Sequence, residues 1–109
     1  MDAEQLIRSL GGTGNLRGFH YAVYMVGLIE QDPVNATLVT KALYPDTARR
    51  FGVTPESVER NLRTLIHNCW TRGDRELMCQ IAGTRLTGQP TNGEFLDILA
   101  AFLRRQNEF

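Results

Sequence analysis

A chain of 109 residues with 42% hydrophobic content has enough apolar material for one core without disulfides or metals. Its formal net charge is zero, 12 Lys+Arg against 12 Asp+Glu, which excludes a polybasic coat and makes the placement of charge more informative than its sum. Two cysteines are too few for a disulfide framework, Met1-Asp2-Ala3-Glu4 is acidic where a secretory leader is basic, and the apolar run Phe19 to Ile29 is too short to span a bilayer, so a reduced, cytoplasmic setting without a membrane partner is expected.

Asp2 caps an expected first helix to Leu10, ended by Gly11-Gly12. The glycines at 11, 12 and 14 are not a phosphate loop, because no Gly-Lys-Ser/Thr follows. A second helix is expected from Leu16 to Gln31, stopping before Asp32-Pro33, and a third from Asn35 to Leu43. Pro45 suits the first turn of a fourth, which closes at Gly52. Thr54 as N-cap and Pro55 as first residue open a long helix to Arg72, with Gly73 at its C-terminal cap. Asp74 caps a short helix to Ala82, and Thr91-Asn92-Gly93-Glu94 forms a capping box for a last helix to Gln106. Thr84 to Thr87 is the one plausible extended piece. No repeat, low-complexity segment or linker divides the chain, so residues 1–109 are expected as a single all-α domain, a compact bundle of about six helices.

The region from Leu43 to Gly73 has the pattern of a helix-turn-helix, in which a supporting helix and a tight turn present a second helix to a DNA major groove. Ala48 is small where the helices approach, Gly52 permits the positive φ of the turn, Phe51 and Val53 anchor it, and Val58 packs back on Ala48. At about 100° per residue, Val58, Leu62, Leu65, Ile66 and Cys69 form a core stripe on the long helix, with Trp70 at its flank. The opposite sector holds Glu56, Arg60, Arg63, Thr64, His67 and Thr71, with Glu59 at its border. Between Arg49 and Arg72 lie five arginines (49, 50, 60, 63 and 72) against Glu56 and Glu59. Arg rather than Lys suits bidentate contact with phosphate and guanine.

Several stretches carry a family resemblance: Leu16-Arg17-Gly18-Phe19-His20-Tyr21, Leu43-Tyr44-Pro45-Asp46, Val58-Glu59-Arg60 with Arg63, Trp70-Thr71-Arg72-Gly73, and Pro90-Thr91-Asn92-Gly93-Glu94-Phe95. With these the chain resembles the C-terminal DNA-binding effector domain of the response regulator that initiates sporulation, the stage zero sporulation protein A family. The resemblance implies a six-helix transcription regulator that binds double-stranded DNA at short boxes, often as self-associating tandem copies, with residues 54–72 as recognition helix. It implies base contacts by Glu59, Arg60 and Arg63, and phosphate contacts by the basic pair Arg49-Arg50. Ser57, Thr64, His67 and Arg72 complete the expected phosphate-facing set. Two departures stand out: Ser57 where the family tends to carry Arg, and Thr87-Gly88-Gln89 where its loop carries lysine. Each lost cation removes about one counterion-release contribution, so weaker, salt-sensitive binding is expected. These residues contain no phosphoacceptor receiver domain, so control by phosphorylation is not expected from this chain.

His67 and Cys69 with Cys79 and His20 match no zinc-ligand spacing, and no metal or other cofactor is expected. Trp70 reads as a core plug rather than a base-stacking platform. Phe95, Ile98, Leu99, Phe102 and Leu103 form a core-closing stripe on the last helix, with a partner surface as the alternative. Arg104-Arg105 suit the helix C-terminus through its dipole, with phosphate contact as the second option. No Ser-His-Asp order or paired buried carboxylates argue for catalysis, so neither an enzyme nor a small-molecule substrate is expected. The rival to DNA binding is a protein-interaction module that keeps the fold but has lost DNA affinity, motivated by the missing lysines, Ser57 and the zero net charge.

Overall fold

The computed structural model describes residues 1–107 as an all-helical bundle without strands among them. Helix α1 (Ala3–Ser9) opens with a reciprocal cap: Asp2 accepts from the Gln5 backbone N–H at 2.8 Å, and the Gln5 side chain accepts from Asp2 N–H at 3.0 Å. Helix α2 (Arg17–Gln31) buries Phe19, Tyr21, Ala22, Met25, Val26 and Ile29 and forms the central strut. Helix α3 (Tyr44–Phe51) and helix α4 (Pro55–Arg72) follow, then α5 (Arg75–Ala82) and α6 (Asn92–Asn107). All six helices contribute to one core, whose fully buried members include Leu6, Phe19, Met25, Leu62, Leu65, Ile66, Met78 and Phe95. Removing this apolar surface from water is the main force holding the bundle.

The expected α-helix over 35–43 is corrected by the structure. Pro33–Thr37 is a 3-10 turn begun by Asp32, whose carboxylate accepts from Val34 N–H at 3.2 Å. Leu38 breaks the run at φ −122°, and Val39–Leu43 is a π-helical turn that runs directly into α3. The reason is Pro45. In a continuous α-helix its ring collides with the carbonyl four residues back, at Lys41, and it has no N–H to offer that carbonyl. A widened turn just before the proline relieves both conflicts. The extended piece expected at 84–87 is not a strand, and there is no strand among the described residues; Leu86 N–H instead donates to Cys79 Sγ at 3.4 Å.

The remaining boundaries follow their caps. Thr54 Oγ1 accepts from Ser57 N–H at 3.1 Å, Asp74 accepts from Leu77 N–H at 2.9 Å, and Thr91 and Glu94 exchange bonds of 3.2 and 2.8 Å. α4 is braced closely on two sides. On α2, Gly18 meets α4 so tightly that a Cβ there would lie 2.2 Å from the Asn61 carbonyl oxygen. At its far end, Asp74 N–H donates to Leu10 O at 3.2 Å, tying the start of α5 to the end of α1.

Candidate nucleic-acid interface

The motif begins with a capping transition. α3 ends at Gly52 with φ +68° and ψ +37°, a left-handed conformation that glycine adopts without Cβ strain, and Val53 N–H closes the turn on Ala48 O at 3.0 Å. Thr54 and Pro55 then start α4 at once. Ala48 is 4% and Val58 0% exposed, so both sit in the core between the two helices as their spacing required. Phe51 and Val53 are only partly buried; Phe51 packs its ring against Tyr21 and Tyr24, with centroids 5.0 and 5.8 Å away.

The sequence-read faces of α4 are the observed ones. Val58, Leu62, Leu65, Ile66 and Cys69 are fully buried, while Glu56, Arg60, Arg63, Thr64, His67 and Thr71 are exposed and Glu59 is intermediate. Arg60 and Arg63 thus stand on the outer face one turn apart, and Thr64 and His67 continue that face. Arg63 is ion-paired with Glu59. An exposed pair at this spacing contributes about 0.3–0.5 kcal/mol, whereas a good bidentate base contact is worth about 1–3 kcal/mol, so the pair does not stop Arg63 from turning toward a base. Arg60 has no ion pair among the described residues.

Apart from His67, which is exposed, the expected phosphate contacts divide into three groups. Arg50 and Arg72 are exposed and without an ion pair among the described residues, Arg50 lying with its guanidinium 5.2 Å from the Phe51 ring centre. Arg49 is exposed but 3.5 Å from Asp46. Ser57 and Thr64 already use their hydroxyls inside α4: Ser57 Oγ accepts from Asn61 at 3.2 Å, and Thr64 Oγ1 donates to Arg60 O at 3.1 Å. Thr64 must give up or share that bond to donate to a phosphate, whereas Ser57, which only accepts, keeps its O–H free to donate. Ser57 is also short and half-buried, so a longer cation at this position has no counterpart here.

The fold also brings residues to this face that local pattern did not single out. Gln89 reaches across from the loop before α6 and hydrogen-bonds the His67 ring, Nδ1 to Oε1 3.1 Å. With Arg60, Arg63, Thr64 and His67 it lines a depression of about 320 Å³. Beside it lies a second groove of about 560 Å³, walled by Val39, Thr40, Tyr44, Glu59, Arg63 and the residues 89–93. At its base Asn92 Nδ2 donates to Tyr44 Oη at 3.0 Å and to the Glu59 carbonyl at 3.1 Å. Burial raises the Tyr44 hydroxyl above its ordinary value of 10.0, against the lowering by the Asn92 hydrogen bond, so the phenol is neutral at physiological pH. No signal short of the fold pairs residues 33 and 48 positions apart.

The other singled-out residues are ordinary parts of the bundle. Trp70 is a partly buried plug capped by Arg75, whose guanidinium carbon lies 4.2 Å from the ring centre and whose Nε donates to Trp70 O at 3.1 Å. Cys69 is buried, which pushes its thiol up to about 11, while His67 on the same helix faces outward. On α6, Phe95, Leu99 and Leu103 are buried and Ile98 and Phe102 partly so, which closes the core. Arg105 donates to Ile81 O at 3.2 Å near the C-terminus of α5, a structural use of one member of the basic pair.

A short helix, a left-handed glycine turn and a long second helix fit the helix-turn-helix class of domain. Residues 3–103 match the family model described as sporulation initiation factor Spo0A C terminal. The chain belongs to that family, and with it to the DNA-binding domains that regulate transcription in sporulation. No helix among the described residues is long and apolar enough to cross a membrane.

Proposed function

We propose that this domain binds double-stranded DNA sequence-specifically, with α4 in the major groove. Arg60 and Arg63 donate to guanine edges, Glu59 accepts from cytosine, and Arg49, Arg50, Ser57, Thr64, His67 and Arg72 lie along the flanking phosphates. The observation that carries this reading is the outward Arg60–Arg63 pair on a helix whose inner face is fully buried. Rigid backing matters because base readout depends on hydrogen-bond geometry within a few tenths of an ångström. As one domain in the cytoplasm, it acts on tandem boxes as self-associating copies. Its non-catalytic role needs no cofactor.

The test is selection of bound sequences from a random duplex pool, followed by fluorescence anisotropy on the winner. Arg60→Ala is expected to cost about 1–3 kcal/mol and to relax preference at one base pair. Arg72→Ala is expected to weaken all duplexes evenly and to reduce the salt slope by about one. Unchanged affinity and preference in Arg60→Ala reject the base-reading role. If neither selected nor random duplex gives a salt-dependent signal at low salt, the protein-interaction reading replaces this one.

A further inference from the structure

Asn92 does something its place in the sequence does not require. It is the first residue of α6, but the cap of that helix is already complete without it, through Thr91 and Glu94. Its side chain turns away from its own helix and bridges two others. Among the described residues no other side chain hydrogen-bonds to two helices besides its own. The amide orientation is set by chemistry: a carbonyl only accepts, so the atom facing Glu59 O is the Nδ2 donor, and its second N–H goes to the Tyr44 oxygen.

The point of attachment is what matters. The Glu59 carbonyl belongs to the turn of α4 that carries Glu59, Arg60 and Arg63, and Tyr44 belongs to the supporting helix. One carboxamide therefore ties the supporting helix, the recognition helix and α6 together at the level of the three base-reading candidates. The bond to Glu59 is to backbone, so it constrains the helix itself and not a mobile side chain. A rotation of α4 by about 10° moves a side-chain tip roughly 5 Å from the helix axis by about 1 Å. That displacement takes a bidentate N–H···O pair out of hydrogen-bonding range.

We infer that Asn92 is a positioning residue for sequence readout, setting the angle of the Glu59–Arg63 turn without touching DNA; this rests on the DNA-reading function proposed above. Loss of the tie leaves phosphate attraction intact and blurs the choice among base pairs. Two variants of the whole chain separate this from a merely structural role. Asn92→Ala removes the tie without adding charge. Asn92→Asp keeps the size, and an acid in the first turn favours a helix, so α6 is retained while both donors are lost.

The measurement is anisotropy on the selected duplex, its single-base-pair variants and a random duplex, across a salt series. Both variants are expected to lose about tenfold in preference for the selected duplex over its variants. For Asn92→Ala the random-duplex affinity is expected within about twofold of the parent, with the same salt slope. A parent-like preference in Asn92→Asp overturns the inference alone, as does a loss that falls equally on selected and random duplexes. A parent chain that shows no preference in the pool selection overturns the DNA-reading function and this inference with it.

Discussion

The inner and outer faces of α4 differ in how much each residue is worth. Inside, Val58, Leu62, Leu65, Ile66 and Cys69 are wholly removed from water. Outside, Arg60, Arg63, Thr64 and His67 make contacts that are solvated and singly weak: an ion pair to Glu59, a hydroxyl to a carbonyl one turn back, a ring to Gln89. A buried aliphatic side chain contributes about 1.5–3 kcal/mol, whereas an exposed ion pair contributes about 0–1 kcal/mol. Stability therefore lives on one side of the rod and the proposed recognition on the other. The outer residues can be replaced at little cost to stability because the fold does not lean on them.

Mutations that sort by face sharpen this contrast, and any that fail to sort break it. Leu65→Ala should give the largest loss, about 2–5 kcal/mol in urea unfolding, with base preference of the folded fraction unchanged. Altered preference there would mean that the core and the reading face are coupled. Gly18→Ala comes next. Its new Cβ would sit 2.2 Å from Asn61 O, a backbone atom that cannot swing aside, so α2 and α4 must separate. Such overpacking is expected to cost about 1–3 kcal/mol and, unlike Leu65→Ala, to disturb base preference because it shifts the helix as a body. Gly52→Ala should cost about 1 kcal/mol through the left-handed turn, read as a lowered urea midpoint.

The smallest expected effect lies at the start of α6. Hydrogen bonds from the Thr91 backbone and then its side chain hold the Glu94 carboxyl below its ordinary value of 4.5. A depressed folded value means that the contribution is present above the unfolded value and is lost as pH falls through the folded one. Amide protection in the first turn of α6, taken relative to the intrinsic exchange rate at each pH, should therefore fall on acidification below about 4.5, and Glu94→Gln should remove that acid dependence. Acid loosening that persists in the Gln variant would assign it to other carboxylates.

Much of the fold was legible because its signals are local. Thr54, Pro55 and Gly73 mark the ends of α4 through backbone groups within one turn, and the 3.6-residue period sorts its faces. The helix expected over 35–43 was misread, in its second half for a reason that is also local but easily overlooked: Pro45 acts backward, on the carbonyl four residues before it, where the structure has a π turn. The outward arginines of the candidate site were legible for the same reason as the core stripe.

Outside the segment 35–43, residue order alone thus determined the helices, their caps, the glycine turn and which arginines face water, because each depends on groups within a few positions of one another. Tertiary structure decided the rest. Gly18 against Asn61, Gln89 against His67, and Asn92 against Tyr44 and Glu59 join residues tens of positions apart. Such contacts have no period and no local motif; they arise only when burial of a shared core brings separate helices together.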